Sequence, residues 1–322
     1  MMMLSASREL CPPIIDMHLH AMRATDQGPP PLGLCAPITD YPVCESGQSW
    51  EAAFIAWLKR PPCTDPIWSP MTDHELMDRT LAIMERRNVI AVTSGPLVHE
   101  WQAAAPDRII PGLFFQGGEG MPPVDSVRAD FEHGRFAVFG EVTIQYQGMA
   151  PSDSTFEPYL ALAEEVDLPV GIHIGTGPLG APYLGFERYR ARLHSPLLLE
   201  EALLRHPGLR IYIMHAGWPM IDDLLAVLWT HPQVYVDVGV ISFVLPRAAF
   251  HRYLQRIIEA GFGKRVMFGS DQMVWPEALE CAIQAIETAD FMTEQHKRDI
   301  FYNNAARFLR LSDEEIAMHH SG

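Results

Sequence analysis

No basic run or stripe interrupts this sequence. Its 24 lysines and arginines stand against 40 acidic residues, a formal net charge of -16 over 322 residues. Nucleic-acid binding, which needs clustered cations to displace counterions, is therefore not expected. No stretch approaches the roughly 18 apolar residues of a membrane span, and Met1–Leu10 lacks the apolar core of a signal peptide. The chain reads as cytoplasmic, with export by way of a removed leader left open. Cysteine is scarce: Cys11, Cys35, Cys44, Cys63 and Cys281 form no C-x-x-C pair, so a thiolate zinc site is not expected. Free thiols in a reducing compartment are the expectation for all five. The alternative is a loop disulfide among Cys35, Cys44 and Cys63 in an exported protein. Internal repeats, low-complexity tracts and domain linkers are also missing.

What is present is a regular alternation. A hydrophobic content of 48% is enough for one large core. Ile14–His20 reads as a first strand. The proline-rich, tryptophan-dotted stretch 21–72 has no clear period beyond a short helix over Glu51–Lys59, and is either a cap over the mouth of a site or an insertion packed outside. From Asp73 onward, apolar residues at three- and four-residue spacing alternate with short apolar runs. Strands are expected at 89–93, 109–115, 137–146, 169–174, 210–214, 234–238 and 266–268. Helices fall between them, and a last helix spans 294–309. Eight strand–helix units, many with continuous apolar strands, predict a (β/α)8 TIM barrel with a long insertion after its first strand, a single domain over 1–322. No Gly-x-Gly-x-x-Gly follows the first strand, which lowers the doubly wound alternative.

The polar residues of these strands are placed suggestively. In a strand, residues two apart share a face, so His18 and His20 present both imidazoles to one side. Glu141 sits on the fourth strand. His173 ends the fifth, His215 ends the sixth, and Asp271 follows the eighth. A barrel gathers the C-terminal ends of its strands at one mouth, so these six residues are expected to share a pocket. Imidazole and carboxylate donors suit zinc or manganese, with a position left open for water.

This pattern, His-x-His on strand 1, His on strand 5, His-Ala-Gly on strand 6 and Gly-Ser-Asp on strand 8, resembles the amidohydrolase superfamily. More narrowly it resembles the branch holding aminocarboxymuconate-semialdehyde decarboxylase and the "amidohydrolase 2" hydrolases. Asn303–Leu309 is similar to the helix with which many members end. The resemblance implies that His18, His20 and His173 bind a divalent metal, most often zinc, in a site of one or two ions. It implies that Asp271 is a further ligand and handles the proton of the bound water. His215 is either a second-metal ligand or an unligated acid–base residue. The implied reaction is attack of metal-bound hydroxide on an ester, lactone or amide of a small, carboxylate-bearing substrate. The alternative is non-oxidative decarboxylation of an aromatic or unsaturated acid. Many binuclear relatives bridge two metals through a carboxylated lysine on strand 4, and this strand has none. Glu141 is expected to orient a ligand histidine, with bridging as the other possibility. A homodimer is compatible with the resemblance.

Tyr183, Arg188 and Trp218 are candidate substrate-binding residues, and Asp237 could also project into the mouth. Asp16 is expected to stabilise strand 1 locally. His74, His99, His133, His194, His206, His231, His251 and His296 are expected on the surface or at caps.

Overall fold

The computed structural model describes residues 11–321. Met1–Leu10, read above for a leader, lie outside them. Eight strands, β1 (Ile14–His20), β2 (Val89–Ser94), β3 (Ile109–Phe115), β4 (Val138–Val142), β5 (Val170–His173), β6 (Ile211–Met214), β7 (Val234–Asp237) and β8 (Val266–Met267), pair in parallel in chain order. The sheet closes on itself. Met17 N–H donates to the Phe268 carbonyl at 2.9 Å and His20 N–H to Gln272 at 3.1 Å, joining β1 to the segment after β8. Helices follow each strand, and the result is the (β/α)8 TIM barrel expected from the alternation. No helix among the described residues is long and apolar enough to cross a membrane.

Two apolar layers hold the barrel. Ile14, Leu19, Ala91, Phe139 and Ile172 face the helices, while Ile15, Met17, Val92, Val138 and Tyr212 fill the interior. Tyr302, Ala305 and Phe308 from the chain's end pack against this inner layer. Tyr212 spans the lumen and donates its hydroxyl to the Met17 carbonyl at 2.9 Å. Room for it comes from Gly171, where a Cβ would lie 2.4 Å from the Tyr212 hydroxyl. The pairing of β1 with β2 slips between Asp16 and Leu19. Such a bulge re-aims the residues after it. Met17 packs inward, and His18 and His20 beyond it point to the mouth.

The 73–87 helix starts where the spacing predicts. Thr72 Oγ1 accepts from the Glu75 N–H at 3.2 Å, and Asn88 ends it in the left-handed conformation at φ 49°. The spacing does not announce the short helices Val98–Ala104, which has no side-chain cap at its start, Ile241–Val244, or the acidic Asp313–Ser321. The expected 294–309 helix contains a wide turn over Asp299–Asn303.

The 21–72 stretch packs on the loops at the C-terminal ends of the strands. Trp50 Nε1 donates to the Leu179 carbonyl at 2.9 Å, Ile38 N–H to Val244 at 2.9 Å, and Trp275 Nε1 to Leu32 at 2.9 Å. Its helix, Trp50–Lys59, is capped by Ser49. Gly33–Leu34 pairs antiparallel with Ile67–Trp68, and beside that pairing Cys35 and Cys63 form a disulfide. This corrects the free-thiol expectation for two of the five cysteines. Strand pairing brings the two Cα atoms to 5.9 Å, and residue spacing alone does not reveal it.

Candidate metal centre

The mouth of the barrel is built by backbone first. Asp16 Oδ1 accepts from the His18 and Ser270 N–H groups, each at 2.9 Å, and Asp271 N–H donates to the His18 carbonyl at 2.6 Å. Asp16 therefore does more than stabilise its own strand: it locks β1 to the turn carrying Asp271. That lock brings His20 Nε2 to 3.0 Å and His18 Nε2 to 3.6 Å from Asp271 Oδ1. Glu141, reached through a cis Gly140–Glu141 peptide, enters from β4. Its Oε1 lies 2.6 Å from His173 Nδ1, and its Oε2 lies 3.4 Å from His20 Nε2 and 3.9 Å from His18 Nε2.

His215 is held from three sides. Its N–H donates to Asp237 Oδ1 at 3.0 Å, its Nδ1 lies 3.1 Å from the Gly239 carbonyl, and Tyr253 donates its hydroxyl to the neighbouring Ala216 carbonyl at 2.8 Å. A carbonyl can only accept, so Nδ1 carries the proton and Nε2 keeps its lone pair. That Nε2 lies 3.0 Å from His173 Nδ1. His215, Ala216, Val240 and Asp271 all take positive φ, from 47° to 59°. Non-glycine residues resist this conformation at a cost of roughly 1–3 kcal/mol each, so the rest of the barrel pins the turns that carry the site. Gly239 is needed for space, since a Cβ there would lie 2.8 Å from His18 Nδ1 and 3.0 Å from Asp271 Cβ.

All six of the residues expected to converge do so, and all six are buried. Burial disfavours the His18 imidazolium, but the Asp271 and Asp237 carboxylates outweigh it and hold His18 well above its ordinary pKa. Burial would also raise Glu141, but the hydrogen bond from His173, with the charges of His173 and His18, holds it well below the usual carboxylate range. Burial, reinforced by His173, pushes His215 down to about 4. Beneath the site, burial lifts Asp16 to about 7.

Donor atoms of His18, His20 and Glu141 lie within 4.8 Å of one another, as do those of Glu141, His173 and His215, and those of His18, His215 and Asp237. Neither ring nitrogen of His18 has a hydrogen-bond partner, although both are buried. Buried imidazoles rarely go unpaired, and unpaired nitrogens turned toward carboxylates suit a divalent cation. Asp237 lies under this set, with Oδ2 3.2 Å from His18 Nδ1.

Tyr183 and Arg188 stand exposed on the loops after β5, and Trp218 is half-buried beyond the His-Ala-Gly turn. Among the described residues, no side-chain hydrogen bond or ion pair joins these three to the histidine cluster. Tyr146 does reach it, with its hydroxyl 3.4 Å from His173 Nε2. The strand expected over 137–146 ends at Val142, and a tight turn over Ile144–Gln147 swings the tyrosine inward. His194 is fully buried, its ring centroid 4.5 Å from Tyr189 and 5.4 Å from His173. His206 and His231 are buried as well, His206 between Glu157 and Glu164 at 2.8 and 2.9 Å. His206 and His231 close the Glu200–Arg205 and Ile221–Thr230 helices as C-caps, as the surface-or-cap reading allows, and only buried His194 corrects it. Loops and helix ends fold under neighbours that are distant in sequence, and local composition carries no trace of that.

The sequence profile of the amidohydrolase family matches residues 15–311. Protein fluG of Emericella nidulans is 20% identical over 135 residues, which are 37% of this chain and 16% of that protein. The match thus spans only a small part of that relative's length. Among solved structures, 5-carboxyvanillate decarboxylase from Sphingomonas paucimobilis is 16% identical at a TM-score of 0.56, covering 94% of this chain and 100% of that one. A 5-carboxyvanillate decarboxylase from Novosphingobium aromaticivorans, solved with bound manganese, is 15% identical at 0.58, covering 93% and 97%. A probable 2-pyrone-4,6-dicarboxylic acid hydrolase from Acinetobacter baumannii is 14% identical at 0.57, covering 92% and 99%. At these identities the likeness is one of fold.

Proposed function

The chain belongs to the amidohydrolase family, and from that premise we propose that it is a metal-dependent hydrolase cleaving an ester, lactone or amide of a small, carboxylate-bearing organic substrate. One observation carries the reading: His18, His20, His173, His215, Glu141 and Asp271, from five separate strand ends, meet with their donor atoms together and the His18 nitrogens unpaired. In this reading His18, His20, His173 and Asp271 hold a divalent cation of the zinc or manganese type, with Glu141 beside them. The bound cation supplies Lewis acidity toward the scissile carbonyl and makes a water acidic enough to serve as nucleophile near neutral pH.

The protein's own groups do the rest. Asp271 Oδ1 faces His20 and His18, while Oδ2 lies 3.8 Å from His215 Nδ1. The histidine charges outweigh burial and keep this carboxylate below its ordinary pKa. It is therefore ionised and ready to take the proton of the attacking water and return it to the leaving group. The 21–72 segment, resting on the mouth loops, acts as a cap that limits bulk water over the site. Tyr183, Arg188 and Trp218 line the approach for the substrate.

Non-oxidative decarboxylation is the second reading. It is supported by the fold-level likeness to 5-carboxyvanillate decarboxylases and by a neutral His215 placed to manage a proton at carbon. The two readings separate in one assay, which follows carbon dioxide release and acid release side by side on a panel of aromatic carboxylates and carboxylated lactones. Acid release without carbon dioxide is the expected result, and the reverse transfers the assignment to the decarboxylase. His18→Ala and Asp271→Asn should each lower turnover by about 10²-fold or more. Full turnover in both variants would remove either reading.

A further inference from the structure

We propose that residues 36–62 form a flap hinged at the Cys35–Cys63 disulfide, and that the Trp50 indole latches it shut across the mouth of the barrel; the inference rests on the site proposed above and goes beyond it in how substrate gains entry. The route of the chain shows what the flap covers. Its root follows β1. Trp50 Nε1 donates to the Leu179 carbonyl, in the loop after β5, at 2.9 Å, and Ile38 N–H donates to Val244, after β7, at 2.9 Å. The strands close in chain order, so β5 stands directly across the barrel from β1. A span rooted at one and latched at the other crosses the opening. Beneath it none of the six site residues is more than 7% exposed, although ligands reach a barrel's chemistry from this end. Substrate therefore enters only when part of this covering moves.

Burial marks the part that moves. The base of the insertion is core: Leu32, Leu34 and Cys35 are buried, as are Ser69 and Pro70. Gly33–Leu34 pairs with Ile67–Trp68, and Leu32 N–H donates to Ser69 Oγ at 2.9 Å. The Leu32 carbonyl takes the Trp275 indole N–H and the Ser69 N–H at 2.9 and 2.8 Å. Between the two cysteines only Ile38 and Leu58 are buried. The disulfide thus sits where packed chain gives way to exposed chain. It ties both sides of the neck together, so the span beyond it swings as one piece. That piece is stiffened from within. Trp50, Phe54 and Trp57, at helical spacing, stack with ring centroids 5.9 and 5.8 Å apart, and Tyr41 extends the stack at 6.3 Å. Segments with few buried groups open at low free energy while the core stays folded. The latch also has a built seat: Gly180, beside Leu179, takes φ 73°, and a Cβ there would collide with the Trp50 indole.

Hydrogen exchange and metal release test the flap without a substrate. In the wild type, amides of the Trp50–Lys59 helix should be less protected than those of Leu32, Leu34 and Ser69 and of the Asp73–Arg87 helix. Trp50→Phe keeps an aromatic ring and removes the N–H. It should lower protection across 36–62 by about fivefold, the shift that one net hydrogen bond accounts for, and leave the base unchanged. In the second arm, protein loaded with Mn²⁺ is mixed with excess EDTA. Release from Trp50→Phe should be about fivefold faster with Mn²⁺ affinity unchanged, because a gate speeds entry and exit alike. Equal protection on both sides of the cysteines in the wild type would make flap and base one rigid unit and overturn the proposal. Release at the wild-type rate from a variant whose flap has lost protection would overturn it too, since the flap would not then cover the site. Faster release with weakened affinity would make Trp50 a support of the metal centre and not a latch. A protein that binds no Mn²⁺ removes the metal-dependent reading, and the exchange pattern then decides the flap by itself.

Discussion

Replacing Asp237 with asparagine tests whether the metal centre is tuned from beneath. Asp237 Oδ1 accepts from the His215 and Gly239 N–H groups at 3.0 and 2.7 Å, and Oδ2 lies 3.2 Å from His18 Nδ1. Asparagine has the same shape, and its one oxygen must stay with the two backbone donors. The amide NH₂ then faces His18 Nδ1. Two donors cannot share that contact, so the His18 proton moves to Nε2, the nitrogen turned toward Asp271 and Glu141. A protonated nitrogen cannot ligate. Loss of such an outer partner lowers metal affinity by about 10–100-fold, which is about 1.4–2.8 kcal/mol. The backbone bonds survive, so the metal-free protein should melt within about 1 °C of wild type. The stabilisation gained on adding metal should shrink by the same 1.4–2.8 kcal/mol, since it follows RT ln(1 + [L]/Kd). Competition against a chromogenic chelator measures affinity, and melting with and without metal measures the linkage. Unchanged affinity in a folded Asp237→Asn protein would refute the tautomer argument and leave Asp237 as a backbone anchor only.

Two further outcomes follow from the disulfide and from the C-terminal helix. Cys35 and Cys63 close a span of 28 residues, so their paired replacement by serine should destabilise the 21–72 segment by about 3–4 kcal/mol; trypsin should then cut faster at the exposed Arg60, and equal cutting rates would show that the staple contributes little. Burial lowers the His319 pKa, partly opposed by Glu315 and reinforced by His320. The unfolded chain therefore takes up the proton first, and the docking of the 313–321 helix is at full strength above about pH 6.5 and weakens as the pH falls below it. Amide protection in that helix, corrected for the intrinsic exchange rate at each pH, should fall from pH 7.5 to 5.5, and His319→Gln should flatten the change.

What the residues reveal unaided is the plan. Alternating apolar periods specify strand and helix because each must bury one face, and eight such units close most simply as a barrel. Once that is granted, His18, His20, His173, His215 and Asp271 declare themselves, since a barrel turns every strand's C-terminal end to one mouth. The positive φ at His215 and Asp271 sits at the Gly-flanked turns that the motifs mark. Only the tertiary structure decides the rest. The slip in the β1–β2 pairing lets Met17 pack inward while His18, its neighbour, still turns to the mouth. Strand register sets Asp237 under His18 and turns the two Glu141 oxygens toward different histidine pairs. The path of the 21–72 segment joins Cys35 to Cys63 and leaves Cys44 free. Each of these depends on how segments far apart in the chain are staggered and stacked. Local spacing reports which face a side chain takes on its own element, and it is silent on what that face will meet.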